Sequence, residues 1–190
     1  MIIKTIKSIT FWMAAIVAII VIAGVYRFNF TNGGDVINTL RDVKNLTYIV
    51  ENETFNLVNG VANNETIKES KTKNTLSIFG EPIYGDLNGD GVGNDAAIIL
   101  VNNPGGSGTF YYAVLAINTN GEYKTTNALL LGDRIAPQTV EIPDGVALFN
   151  YAERNAGEPM TTQPSNGKSL WINYDANSGK ISELVKPQSD

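Results

Sequence analysis

The sequence predicts a mainly β protein: an N-terminal membrane-spanning helix followed by a β-sandwich or barrel-like domain. Two observations predict it. Residues 9–26 carry no charge and are almost wholly apolar. From residue 46 onward, short runs rich in Val, Ile, Thr, Tyr and Phe are separated by Gly, Asn, Asp and Pro about every ten residues, the spacing of antiparallel strands and their turns.

The anchor comes first in the chain. Lys4 and Lys7 precede the apolar run and Arg27 closes it. A helix over residues 9–26 would be about 27 Å long, enough to cross a hydrocarbon core. Trp12 and Tyr26 suit the two interfacial belts, and the lysines favour an N-terminus inside with the domain outside the cytoplasm. The expected location is therefore the cell membrane, single-pass, with the C-terminal domain periplasmic or at the cell surface. A cleavable signal peptide ending at Val21-Ile22-Ala23 is the alternative, and it exports the domain equally well.

Residues 28–45 form a polar connector with Gly33-Gly34. Val36, Ile37, Leu40 and Val43 fall at helical spacing, so residues 35–44 suit one short helix. Residues 46–50 and 54–58 read as a hairpin around Glu51-Asn52-Glu53, followed by an Asn59-Gly60 turn. Residues 62–74 are polar and of mixed charge and read as a solvated excursion. Strand composition resumes at 75–79 and 82–84. Residues 96–101 are continuously apolar, as in a strand buried on both faces, and 109–117 (TFYYAVLAI) is the strongest strand signal. Residues 118–121 turn that strand into 122–131. A third hairpin spans 138–142 and 146–152 around Pro143-Asp144-Gly145. Residues 155–169 read as loop, and 170–174 with 180–185 make a last hairpin. No blade-length repeat is present, which disfavours a propeller or solenoid. Residues 46–190 thus form one β-rich domain.

Composition removes several function classes. There is no Cys and no His among the 190 residues. That excludes disulfides, thiol chemistry, Cys-type zinc sites, a lipid-modified cysteine and a Ser-His-Asp triad. The net charge is −5. Setting aside the two N-terminal lysines leaves about −7 on the remainder, which argues against nucleic acid or an anionic membrane surface as partner.

The stretch with chemistry in it is DLNGDGVGND, residues 86–95. Calcium takes six to eight oxygen ligands from carboxylates, amides and carbonyls. Asp86, Asn88 and Asp90 supply side-chain oxygens at alternate positions. Gly91 permits a sharp turn, Val92 offers its carbonyl, and Asn94 or Asp95 closes the cage. Burying these carboxylates together without a cation would be costly. An EF-hand fits poorly, because the place of its bidentate Glu is taken by Ala97. The D-x-N-x-D-G order followed by a strand resembles the calcium loops of FG-GAP and VCBS repeats in extracellular β proteins, over residues 85–99. Those loops carry an acid where this chain has Asn94 and then Asp95. The resemblance implies a structural calcium ion. More broadly, GDLNGDG, NNPGGSGTFYY, TNALLLGDRIAPQT and NYAERNAGEPMTTQPS resemble a group of small exported bacterial proteins, over residues 46–174. That resemblance implies an envelope location and brings no catalytic residues.

Other motifs weigh less. Residues 102–108 are turn-dense and are followed by a strand, so no helix N-terminus holds an anion there. Asn166-Gly167-Lys168-Ser169 lacks the leading Gly of a P-loop, whose place is taken by Thr162. Three Asn-x-Thr triplets begin at Asn45, Asn52 and Asn64. Phe110, Tyr111 and Tyr112 put aromatic rings on both faces of one strand. Asp133, Glu153 and Glu158, with Arg134 and Arg154 nearby, keep a His-free hydrolase open as an alternative, since paired carboxylates can cleave glycosides. A subunit of a membrane assembly is another, with Ala14, Ala15, Ala18, Ala23 and Gly24 allowing close helix packing. The leading expectation is a membrane-anchored, calcium-binding extracytoplasmic β domain acting as a binding or envelope-associated module, with an unidentified protein or glycan partner.

Overall fold

The computed structural model describes residues 42–65, 73–106 and 108–185. The span expected over 9–26 and the short helix expected over 35–44 lie outside these residues, apart from the last three positions of the latter. Among the described residues no helix is long and apolar enough to cross a membrane. After a 3-10 turn at Val43–Asn45, strands follow one another: β1 (Thr47–Val50), β2 (Glu53–Asn56), β3 (Val61–Glu65), β4 (Lys73–Gly85), β5 (Asp95–Asn103), β6 (Phe110–Thr119), β7 (Glu122–Thr125), β8 (Leu129–Asp133), β9 (Ala136–Glu141), β10 (Ala147–Glu153), β11 (Asn166–Asp175) and β12 (Lys180–Glu183).

Tight turns explain the local pairing. Glu51 and Asn52 both have positive φ (50° and 67°), and Val50 faces Glu53 across them. Asn120-Gly121 repeats this at 53° and 85° between Thr119 and Glu122. Two central residues with positive φ match the right-handed twist of the strands they join. All pairings are antiparallel.

The strands form a six-stranded sheet, β3-β4-β5-β6-β7 with β8 also on β6, a four-stranded sheet, β12-β11-β10-β9, and the two-stranded β1-β2 hairpin. Side chains alternate along β5, so the central sheet has two cores. Ala96, Ile98 and Leu100 join Tyr112 and Val114 of β6 beneath Tyr48, Val50 and Phe55 of the hairpin. Ala97 and Ile99 join Ala113, Leu115 and Ile117 against Ala147, Phe149, Ile172 and Ile181 of the four-stranded sheet. The apolar run at 96–101 is therefore buried on both faces, as its composition predicts. Tyr112 points to the hairpin side, while Tyr111 lies on the opposite face and meets Phe79 edge-on at 5.8 Å.

Three sequence expectations need correction. Residues 61–65, 73 and 74 are strand, pairing β3 with β4, although their composition is polar. The expected single strand over 122–131 is broken: β7 and β8 pair with different parts of β6. At the break the buried Thr126 replaces ladder bonds, its Oγ1 accepting from Leu115 N at 3.1 Å and its own N donating to Leu115 O at 2.9 Å. Finally, Asn166–Ser169 begins β11 and is not loop.

Two core tyrosines make the fold sensitive to alkali. Tyr48 donates to Val43 O at 2.7 Å and Tyr112 donates to Glu51 Oε1 at 2.6 Å. Burial raises both phenols above the ordinary value of 10.0, with Glu51 adding to the rise at Tyr112. A raised folded-state value means that the folded protein holds the proton longer. The stabilisation is complete below pH 10 and is lost as pH rises beyond it. Urea midpoints measured from pH 8 to 11 should fall in the upper part of that range. The Tyr48→Phe/Tyr112→Phe variant should fall less.

Candidate metal centre

Gly85 and Asp95 face each other at the ends of β4 and β5, so residues 86–94 form the loop that closes this pair. Gly85 has no room for a side chain, since a Cβ there would lie 2.9 Å from Ile142 Cδ1. Gly89 and Gly91 turn the chain at φ 77° and 82°. The oxygen-bearing side chains then bind the loop's own backbone. Asp86 Oδ1 accepts from Gly89 N at 2.7 Å and Oδ2 from Gly91 N at 2.9 Å. Asn88 Oδ1 accepts from Asp90 N at 2.9 Å, and Asp90 Oδ1 from Val92 N at 2.8 Å. The Val92 carbonyl accepts from Asn94 N at 2.8 Å.

The bonds to Asp86, Asn88 and Asp90 fix their side chains while leaving lone pairs unused. The donor set is all oxygen, the chemistry that suits a hard cation. Among the described residues no three Asp, Glu, His or Cys side chains stand close enough to hold a metal by themselves. A cation in this loop would draw on the Asp86 and Asp90 carboxylates together with amide and carbonyl oxygens.

The structure separates Asp95 from Asn94. Asp95 is fully buried. Its Oδ2 accepts from Leu87 N at 2.9 Å and Asn88 N at 3.0 Å, and its Oδ1 accepts from Asn118 N at 2.7 Å. Asp95 therefore ties both ends of the loop to β6 at Asn118, near that strand's end. Asn94 Oδ1 is buried without a hydrogen-bond partner, while its main-chain oxygen accepts from Tyr123 at 2.9 Å. Asn94 thus retains an unused oxygen, and Asp95 has its oxygens engaged by backbone.

Sequence reasoning missed the supports around this loop. Asn88 Nδ2 donates to Asn118 O at 3.2 Å. The 3-10 turn Pro143–Gly145 abuts it from the four-stranded sheet, and a Cβ on Gly145 would stand 3.1 Å from Asp86 O. Between loop and turn lies a cleft lined by Asp86, Asn88, Gly89, Ile142, Asp144 and Asn173. Pro143-Asp144-Gly145 is visible in the sequence as a turn, but nothing local says which loop it meets.

The carboxylates of the hydrolase alternative each have their own local partner. Asp133 Oδ1 accepts from Thr109 N at 2.9 Å, and Glu153 pairs with Lys168 at 3.1 Å. Glu158 accepts from the Asn155 side chain and from Asn155 N, and these two bonds hold its carboxyl below the ordinary range. Arg154 donates to the carbonyls of Thr162 and Arg134. These contacts secure turns and strand ends. Comparison of the chain with family models, with curated proteins and with solved structures found no match.

Proposed function

We propose that residues 86–95 hold a structural calcium ion in an exported β domain, anchored to the membrane through residues 9–26, and that the domain works as a binding or envelope-associated module. The observation that carries the calcium reading is the arrangement of Asp86, Asn88 and Asp90. Backbone bonds fix all three on one short loop, and each keeps an oxygen lone pair to offer. Asn94 Oδ1, buried and without a donor, supplies a further oxygen of the kind calcium takes. The D-x-N-x-D-G resemblance agrees with this and places such ions in a structural role.

The ion would neutralise the Asp86 and Asp90 charges, stiffen the corner between β4 and β5, and hold it against the 143–145 turn. In this reading the packed sheets are the sandwich that follows the membrane helix, and the loop sets one of its corners. A cation that binds only the folded state adds to its stability. The test is a thermal melt of the full-length chain in calcium and in chelator, with Asp90→Ala alongside. The wild type should melt higher in calcium and the variant should show little response. Equal melting of the wild type in both conditions would remove the calcium reading.

A further inference from the structure

A second oxygen-lined site lies at the other end of the β4–β5 pair, away from the loop. Glu53 opens β2 opposite Val50, whose side chain is buried, so both project from the hairpin toward the central sheet. There the Glu53 carboxylate meets two amides from facing positions of β3 and β4. Asn64 Nδ2 donates to Oε1 at 2.8 Å and Asn74 Nδ2 donates to Oε2 at 2.6 Å.

Asn74 is 6% exposed, and its Oδ1 is buried with no hydrogen-bond partner. One strand over, Asn102 is 5% exposed, and its Oδ1 is in the same condition. Asn102 pairs with Leu76, two residues from Asn74, so the two asparagines are diagonal neighbours on the same face. Because Asn74 bonds Glu53 through its nitrogen, its oxygen lies within roughly 5 Å of that carboxylate. The large majority of buried polar side-chain atoms in folded proteins have a partner.

The missing partner has a chemistry. Asn74 Oδ1, Asn102 Oδ1 and the Glu53 carboxylate are all acceptors. A water between them has two protons for three acceptor groups. No Lys or Arg pairs with Glu53 among the described residues, so its charge is balanced only by neutral amides. We propose that these three groups bind an alkali-metal cation, sodium or potassium, which fastens the β1-β2 hairpin to the central sheet. One carboxylate and two neutral oxygens match a single positive charge, and a cation satisfies all three acceptors at once.

The site shares no residue with the calcium loop, so it can be tested with calcium removed. The full-length chain is melted in excess chelator in sodium, potassium or choline chloride of equal ionic strength. The wild type should melt a few degrees higher in sodium or potassium than in choline. Glu53→Gln should lose that preference. Glu81→Gln, which removes only the exposed Lys44–Glu81 pair, should keep it. If Glu53→Gln does not fold, Asn102→Ala is read in the same way. Equal midpoints in the three salts, as expected if water fills the site, would overturn the proposal. So would a preference that survives in the Glu53 or Asn102 variant.

Discussion

Replacing Asp95 with alanine should destabilise the domain by about 3–6 kcal/mol, in calcium and in chelator alike. The side chain is fully buried and accepts three backbone N–H bonds, from Leu87, Asn88 and Asn118. Its loss strands the buried Leu87 and Asn118 donors, each at a cost of about 1–3 kcal/mol, and the part-buried Asn88 donor at less. Asp95→Asn keeps the shape but turns an NH2 group toward N–H donors, so it should fall between alanine and wild type. Urea denaturation at fixed chelator measures both. An Asp95→Ala midpoint equal to that of wild type would mean that the loop is held by something other than this carboxylate.

Calcium should raise the melting temperature by on the order of 5–10 °C, and Asp90→Ala should remove most of that rise. A ligand at a hundred times its dissociation constant adds about 2.7 kcal/mol to the stability of a folded state that alone binds it. In a domain of this size each kcal/mol moves the midpoint by about 2–4 °C. Asp90 suits the test because its carboxylate accepts from Val92 N and Asn88 Nδ2, both bonds lying within the exposed loop. Its loss should change the chelator midpoint little. The two substitutions therefore separate the roles that one acidic loop combines: Asp90 acts through the cation and Asp95 acts without it.

That division was only half legible in the sequence. The alternation of Asp86, Asn88 and Asp90 with Gly marks a tight loop of oxygen side chains, and the loop has that form. The role of Asp95 depends on Asn118 N, contributed by strand β6 23 residues away, and no local pattern announces it. The same contrast runs through the fold. Hairpins at 46–58, 138–152 and 170–185 were legible because turn residues at Glu51-Asn52, Pro143-Asp144-Gly145 and 175–179, together with runs of strand composition, are local signals. β3 was not, because its inward positions include Asn64, whose amide is satisfied by Glu53 of the hairpin. The break between β7 and β8 was hidden for a similar reason, since the Thr126 hydroxyl takes the place of a backbone group. Polar side chains that replace backbone pairing look like loop until the chain is folded.

The central claim, a calcium ion in the 86–95 loop, is tested most directly by equilibrium dialysis of the full-length chain against radioactive calcium. Asp86→Ala and Asp90→Ala variants are run in parallel. The account predicts one ion per wild-type chain, saturating below the millimolar calcium of extracytoplasmic fluids, and none in either variant. No bound calcium in the wild type, or binding that both variants retain, would contradict it.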